Sequence, residues 1–445
     1  MAMGPAKGQE ATRQLEMVCL DQLVPDDDVY RRIDALVDWG FVRAVAAPYY
    51  AEAVGRPSVD PIVLVKLMLV GALEGIGSMR ELLRLGGRDL SLRRFLGYGL
   101  GERLPAHQTV SEAHSRRFVD ARVFEQAFQH TVALCAEHGL LDGTHLSVDA
   151  FHAEADAALK SLRASLALIP AAVPCEDERP LGVEPELPGA PPQLSLAEPR
   201  SGPTPRRRSS NQTSVSYTDR DAKLRGKPGQ RPHLVHRGQV GVDPQARCVV
   251  ACLGEGADGY EGDGLAPILD RARFACPELA SVGADQGYAA ERIWKDARRR
   301  RLIAYIPPQK TMLPPAGCEP RSGAEGEALA ARKRCKSEAG IWAHRRRMAD
   351  AEGVISELKL QHGLARARCR GTPLFHVQLL LGCAAINLKR LAAHAPTAHE
   401  GVGAAPKAAI AALTTENDQR RGGSQRPLIR ISRHQLVWTT SLCLN

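Results

Sequence analysis

The stretch His145-Leu146-Ser147-Val148-Asp149-Ala150 (HLSVDA) alternates apolar and polar side chains. Leu146 and Val148 fall on one face and Ser147 and Asp149 on the other, as a half-buried strand requires, and the strand ends on an acid. Downstream, His233 to Asp243 and Arg247 to Gly254 read as two strands of a hairpin turning at Pro244-Gln245. A helix around Leu265 to Arg273 follows, then a strand from Leu279 to Ala284 that runs into Asp285 and the tight turn Gly287-Tyr288. Beyond it the pattern predicts a helix near Ala289 to Arg300, a strand Leu302 to Ile306, a loop, a helix from Ala349 to Gln361 and an amphipathic helix from Leu374 to Ala393.

In order, these elements are strand, strand, strand, helix, strand, helix, strand, helix. That is the succession of an α/β, RNase H-like mixed sheet flanked by helices. Residues 160–215 interrupt it; they are rich in proline, alanine and serine and end in the Arg206 to Arg208 run, so they are expected to form a flexible insertion.

Upstream, residues 15–135 read as an all-α N-terminal domain. Asp60 is placed to cap a helix that starts at Pro61 and carries Ile62, Val65, Leu69 and Leu73 at helical spacing. Ser78 with Glu81 and Thr109 with Glu112 have the spacing of capping boxes. The stretch from Gly97 to Pro105 breaks the helices, and the last of them carries Arg116 and Arg117. Short helices of this kind suit DNA binding, and equally a bundle used for packing or dimerisation. The expected division is therefore 15–135, a helical DNA-binding domain; 140–393, a catalytic domain containing the insertion; and a weakly ordered tail over 395–445.

Composition agrees with a globular chain. At 445 residues it exceeds what one core usually spans, so two ordered domains are expected. Hydrophobic residues make up 44% and charged residues 24%. A net charge of +9, with runs at Arg206 to Arg208, Arg298 to Arg301 and Arg345 to Arg347, points to a polyanionic partner, although each run alone could be a solvated face. The 11 cysteines include no Cys-x-x-Cys pair, which argues against a zinc ribbon, and Cys248 and Cys252 read as small core residues. The opening MAMGPAKGQEATRQLEM has no apolar signal region. The longest apolar stretch, Pro61 to Ile76, is broken by Lys66 and Glu74 and is shorter than the roughly 20 residues of a membrane span. A cytoplasmic setting without membrane association is expected.

In a sheet of this order the strands ending in Asp149 and Asp285 lie side by side, so the two carboxylates could meet. A third acid should come from the last catalytic helix, where Glu352 and Glu357 both qualify by type. Carboxylates suit hard divalent cations. Two such ions about 4 Å apart can serve phosphodiester cleavage. Singly, each acid would pass for a surface group; the set is what points to chemistry. His152 and Glu154 read as local surface residues rather than ligands.

Four blocks carry a resemblance: GRPSVDPIVLVKLMLVGALEGIGSMREL at Gly55 to Leu82, LSVDAFHAEA at Leu146 to Ala155, VGADQGYAAE at Val282 to Glu291, and AEGVISELKLQHGLARARCRG at Ala351 to Gly371, continued by AAINLKRLA. With SNQTSVSYTDRDAKL at Ser210 to Leu224, the chain resembles bacterial insertion-sequence transposases of the Asp-Asp-Glu class over most of residues 20–393. The resemblance implies Asp149, Asp285 and Glu352 as catalytic, metal-holding acids, with Glu357 second choice, and two Mg²⁺ or Mn²⁺ ions. It implies DNA contacts from Lys359 and from the basic turn carrying Arg366, Arg368 and Arg370. The partners would be the element's terminal inverted repeats and target DNA, held by a homodimer or larger assembly. One departure stands out. The family pattern has a tyrosine and an arginine seven and four residues before the glutamate, whereas Arg345 and Met348 stand there, with Arg346 and Arg347 at shifted register. A catalytically inactive DNA-binding remnant is the alternative.

Overall fold

The computed structural model describes residues 17–50, 58–113, 122–164, 211, 214–226, 229, 231–315 and 317–394. Arg116 and Arg117, most of the proline-rich insertion and the tail lie outside them. Contacts divide the chain into Met1–Ala395 and Pro396–Asn445, and every described residue belongs to the first unit.

The N-terminal part is helical. It comprises α1 (Leu20–Leu23), α2 (Val29–Leu36), α3 (Gly40–Ala46), α4 (Pro61–Leu73), α5 (Met79–Arg88), α6 (Leu90–Leu96), α7 (His107–Glu112) and α8 (Arg122–Glu137). The Asp60 side chain accepts from the Ile62 N–H and Pro61 opens α4 without sacrificing a donor, while Ser78 Oγ caps α5 by accepting from Glu81 N. The second expected capping box does not cap: α7 begins at His107 after Ala106, which leaves Thr109 inside the helix. The interruption at Lys66 is also internal. Its Nζ is held by Asp34 Oδ1 at 2.5 Å and the Phe95 carbonyl at 2.9 Å, over the rings of Trp39 and Phe95, so the charge is paired rather than exposed.

The sheet comprises β1 (His145–Glu154), β4 (Lys223–Arg225), β5 (His233–Val242), β6 (Val249–Gly256), β7 (Ser281–Gly283) and β8 (Ile303–Tyr305), while β2 (Leu162–Ala164) and β3 (Ser214–Ser216) form a separate pair at the two ends of the insertion. The order is β4-β5-β1-β7-β8, with β6 also on β5. β1 is antiparallel to β5 and parallel to β7, and β7 is parallel to β8. The hairpin is made of local antiparallel pairs, and the later strands return through α9 (Leu265–Ala275) and α10 (Glu291–Arg299). This is an RNase H-like mixed sheet. β1 is longer than expected and buried on both faces over its first half, because helices cover the side that alternation alone would leave to water.

Two helices stand where a loop was expected: α11 (Gly323–Lys336) and α12 (Glu338–Arg347). α12 leads through a π-helical turn, Met348–Glu352, into α13 (Gly353–Leu360). The last helix, α14 (Thr372–His394), contacts β6, α8, α4 and α2, and one apolar cluster runs from Tyr30 to Ala392. Along β6, whose outer edge has no strand neighbour, α14 supplies the missing partners. Asn387 accepts from Val249 N at 2.8 Å and donates to Val249 O at 2.9 Å, and His376 Nδ1 accepts from Gly254 N. Among the described residues no helix is long and apolar enough to cross a membrane.

Candidate active site

The parallel register pairs Ser147 with Gly283. Two residues beyond that pair stand Asp149, still within β1, and Asp285, just past the end of β7, and the charge of Asp285 acts on Asp149. β1 thus delivers Asp149 into the sheet's centre, 9% exposed, while Asp285 leaves β7 as the cap of a short turn, its Oδ1 accepting from Gly287 N at 2.8 Å. Glu352 approaches from the other direction, at the end of the π-helical turn.

Arg347 joins two of the three acids. Its Nη1 donates to Asp149 Oδ2 at 2.5 Å and its Nη2 to Glu352 Oε1 at 3.0 Å, with Arg347 and Asp149 nearly buried and Glu352 about half exposed. The π-helical turn makes this possible. Five residues separate Arg347 from Glu352, and the wider i→i+5 turn brings both to one face. Met348, where the family pattern has an arginine, is exposed, and the neighbouring Arg347 is the residue that reaches the two acids.

Electrostatics tie the three acids together. Burial raises the Asp149 carboxyl to about 6; Arg347 and the Ala150 N–H pull the other way, and Asp285 and Glu352 add to the rise. Three carboxylates make an all-oxygen donor set, which fits Mg²⁺ or Mn²⁺ in chemistry. Among the described residues, however, no group of three or more His, Cys, Asp or Glu side chains is arranged to hold a metal ion. Arg347 lies between Asp149 and Glu352 and engages one carboxylate oxygen of each.

A fourth carboxylate borders the site. A Cβ at Gly287 would meet both Glu261 Oε2 and, at 3.0 Å, Asp285 Oδ1, which places Glu261 beside Asp285. Sequence reading missed Glu261. Its only signal was the acid-bearing loop YEGDG between β6 and α9. On the far side, Asp285, Gln286, Gly287, Gln309, Lys310 and Thr311 line an open cavity of about 540 Å³.

Glu357, the second-choice acid, is engaged elsewhere. Arg390, Lys389 and His362 surround it and fasten α13 to α14; burial raises its carboxyl, but His362 and the two cations outweigh that and bring it to about 2. Lys359 is half-buried with its Nζ 5.4 Å from the Phe151 ring centroid. Gly238, opposite Phe151, leaves room for that ring, since a Cβ there would lie 2.7 Å from it.

The basic turn after α13 divides. Arg366 and Arg370 are exposed and share Asp156 at 3.7 and 3.4 Å. Arg368 donates instead to the Ile76 and Gly75 carbonyls at 2.7 and 2.8 Å, which links this turn to the end of α4. Of the two residues set aside as surface groups, Glu154 extends the sheet through its backbone, which bonds Ala365 O and Ala367 N. His152 is exposed on β1, as a surface residue should be, and partial desolvation together with the charges of Arg237, Arg225 and Lys359 lowers its imidazole to about 4.

Residues 18–116 match the family described as Transposase domain (DUF772), and residues 318–392 the family described as Transposase DDE domain. No curated protein matches the chain in sequence. Among solved structures it is similar to a piggyBac transposase synaptic complex with hairpin DNA, at 8% identity over 92% of this chain and 84% of that one, with a TM-score of 0.37, a likeness too distant to bear on the site. One transposase family model thus matches the N-terminal helices and another the helices around Glu352, which pack on an RNase H-like sheet.

Proposed function

We propose that this chain is a DDE-type transposase that binds the terminal inverted repeats of an insertion sequence and performs metal-dependent strand cleavage and strand transfer, with Asp149, Asp285 and Glu352 as its catalytic acids. The observation that carries the reading is the meeting of Asp149, from β1, and Glu352, from the π-helical turn, at one guanidinium, with Asp285 close enough for its charge to act on Asp149. Residues 15–135 are proposed to recognise the element ends and residues 140–393 to carry the chemistry. A homodimer or larger assembly would hold two ends together, in the cytoplasm.

Divalent cations held by the three acids would supply Lewis acidity at the scissile phosphate. The chain's own residues do the rest. Asp149 is held within β1, and Asp285 is held by capping the turn that follows β7. Glu352, half exposed, is the acid that faces incoming DNA. Lys359, over Phe151, and the exposed Arg366 and Arg370 offer charge to the phosphate backbone.

Replacement of Asp149, Asp285 or Glu352 by its amide should abolish joining of a labelled repeat end to target DNA, measured by product analysis, while leaving end binding intact. Full activity of Asp149→Asn would overturn the assignment. The neutralisation of Asp149 and Glu352 by Arg347 favours a second reading, an inactive DNA-binding remnant. That reading requires that no divalent cation elicit cleavage of the repeat end. A nuclease without strand transfer would cleave and never join.

A further inference from the structure

Most buried arginines in this protein are built into the fold. Arg93 is the clearest case, giving Nε, Nη1 and Nη2 to the carbonyls of Gly99, Gly87 and Glu102. Arg347 is different. It is as deeply placed, yet among the described residues the bonds of its guanidinium go to Asp149 and Glu352 and to no backbone carbonyl. Both acceptors it uses are carboxylate oxygens that the proposed function gives to a cation.

We propose that Arg347 is a built-in counter-cation: it holds Asp149 and Glu352 together while no divalent ion is bound, and it must release them before an ion can bind. The inference rests on the reading that these acids hold metal, and it adds that ion uptake is coupled to an arginine leaving. Two buried or half-buried carboxylates, with Asp285 beside them, repel one another in a low-dielectric site. Arg347 lets them approach in advance. The same contact competes with the ion, because a state in which the acids are engaged contributes nothing to binding until they are freed.

The test is Mn²⁺ binding to the full chain without DNA, with free ion measured by electron paramagnetic resonance. Arg347→Gln should bind Mn²⁺ about ten-fold more tightly than the unaltered protein, the size of effect expected when a population of about a tenth becomes fully competent. Added Mn²⁺ should also raise the melting temperature of this variant by more than that of the unaltered protein. Arg347→Lys keeps a charge but cannot span both acids, so it should fall between, and it decides the matter if Arg347→Gln does not fold. Equal or weaker binding in Arg347→Gln, or in Arg347→Lys where that variant decides, would overturn the proposal and make Arg347 a residue that positions the acids for the ion. Asp149→Asn separates the two layers. If it leaves Mn²⁺ binding unchanged in every background, the metal reading itself has failed; if it removes binding while the Arg347 variants match the unaltered protein, only the counter-cation has.

Discussion

Asp149 carries opposed influences whose balance can be measured. Burial dominates and holds its carboxyl at about 6 in the folded protein, against 3.8 for a free aspartate, despite Arg347. Between roughly pH 4 and 6 the folded state therefore keeps a proton that the unfolded chain has shed. Stability should fall as pH rises through that window, by on the order of 3 kcal/mol. In chelator-treated protein, Asp149→Asn has no proton to lose, and its unfolding free energy should be flatter over the same range; an unchanged slope would contradict the burial. Glu357 has the opposite sign. Its folded value of about 2 lies below the 4.5 of a free glutamate, so its contribution is complete above about pH 4.5 and is lost as pH falls through about 2. Glu357→Gln should cost on the order of 3 kcal/mol at neutral pH, with the gap to the unaltered protein narrowing under acid in denaturant titrations. Glu352 and Glu357, five residues apart, illustrate what residue type leaves open. Both qualified as the third acid, and their partners separate them: Arg347 on Glu352, and Arg390 and Lys389 of α14 together with His362 on Glu357.

Strands and helices were legible to the extent that their apolar periodicity was local. HLSVDA, the hairpin and α4 announced themselves because each has a clear stripe or a cap. The segment 323–347 did not, since apart from Arg347 α11 and α12 bury small positions, Ala328, Ala331, Gly340 and Ala343, and leave Leu329, Ile341 and Trp342 exposed among polar residues, a composition that also suits a loop. The π-helical turn was equally hidden, because an extra residue in a helix leaves no mark on periodicity. It shows only as a mismatch, Met348 where an arginine was expected. The edge strand β6 depends on such long-range help as well. Asn387 satisfies both backbone groups of Val249, and Asn387→Leu would leave a donor and an acceptor buried without partners. The expected cost is about 2–4 kcal/mol in denaturant unfolding, with faster hydrogen exchange at the Val249 amide. A loss under half a kcal/mol would mean that water reaches this edge.

At the scale of the molecule the positive charge is the feature that composition conveyed and sequence could not distribute. Of the cations expected on DNA, Arg368 has its donors on the carbonyls of Gly75 and Ile76 and braces the turn, while Arg366 and Arg370 reach solvent. Each phosphate contact releases condensed counterions, so the slope of log affinity against log salt counts the contacts made. Arg366→Ala and Arg370→Ala should each reduce that slope by about one, measured by fluorescence anisotropy on a labelled repeat end. Arg368→Ala should leave the slope alone and lower the melting temperature instead. Asp156 sharpens the test, since it sits between Arg366 and Arg370 in exposed ion pairs of the kind that contribute about 0–1 kcal/mol. A phosphate can displace such a carboxylate at little cost. Asp156→Asn should therefore tighten binding up to about five-fold at low salt by removing the competitor. If it weakened binding, Arg366 and Arg370 would need Asp156 to hold them in place, and the turn would be a brace rather than a DNA contact.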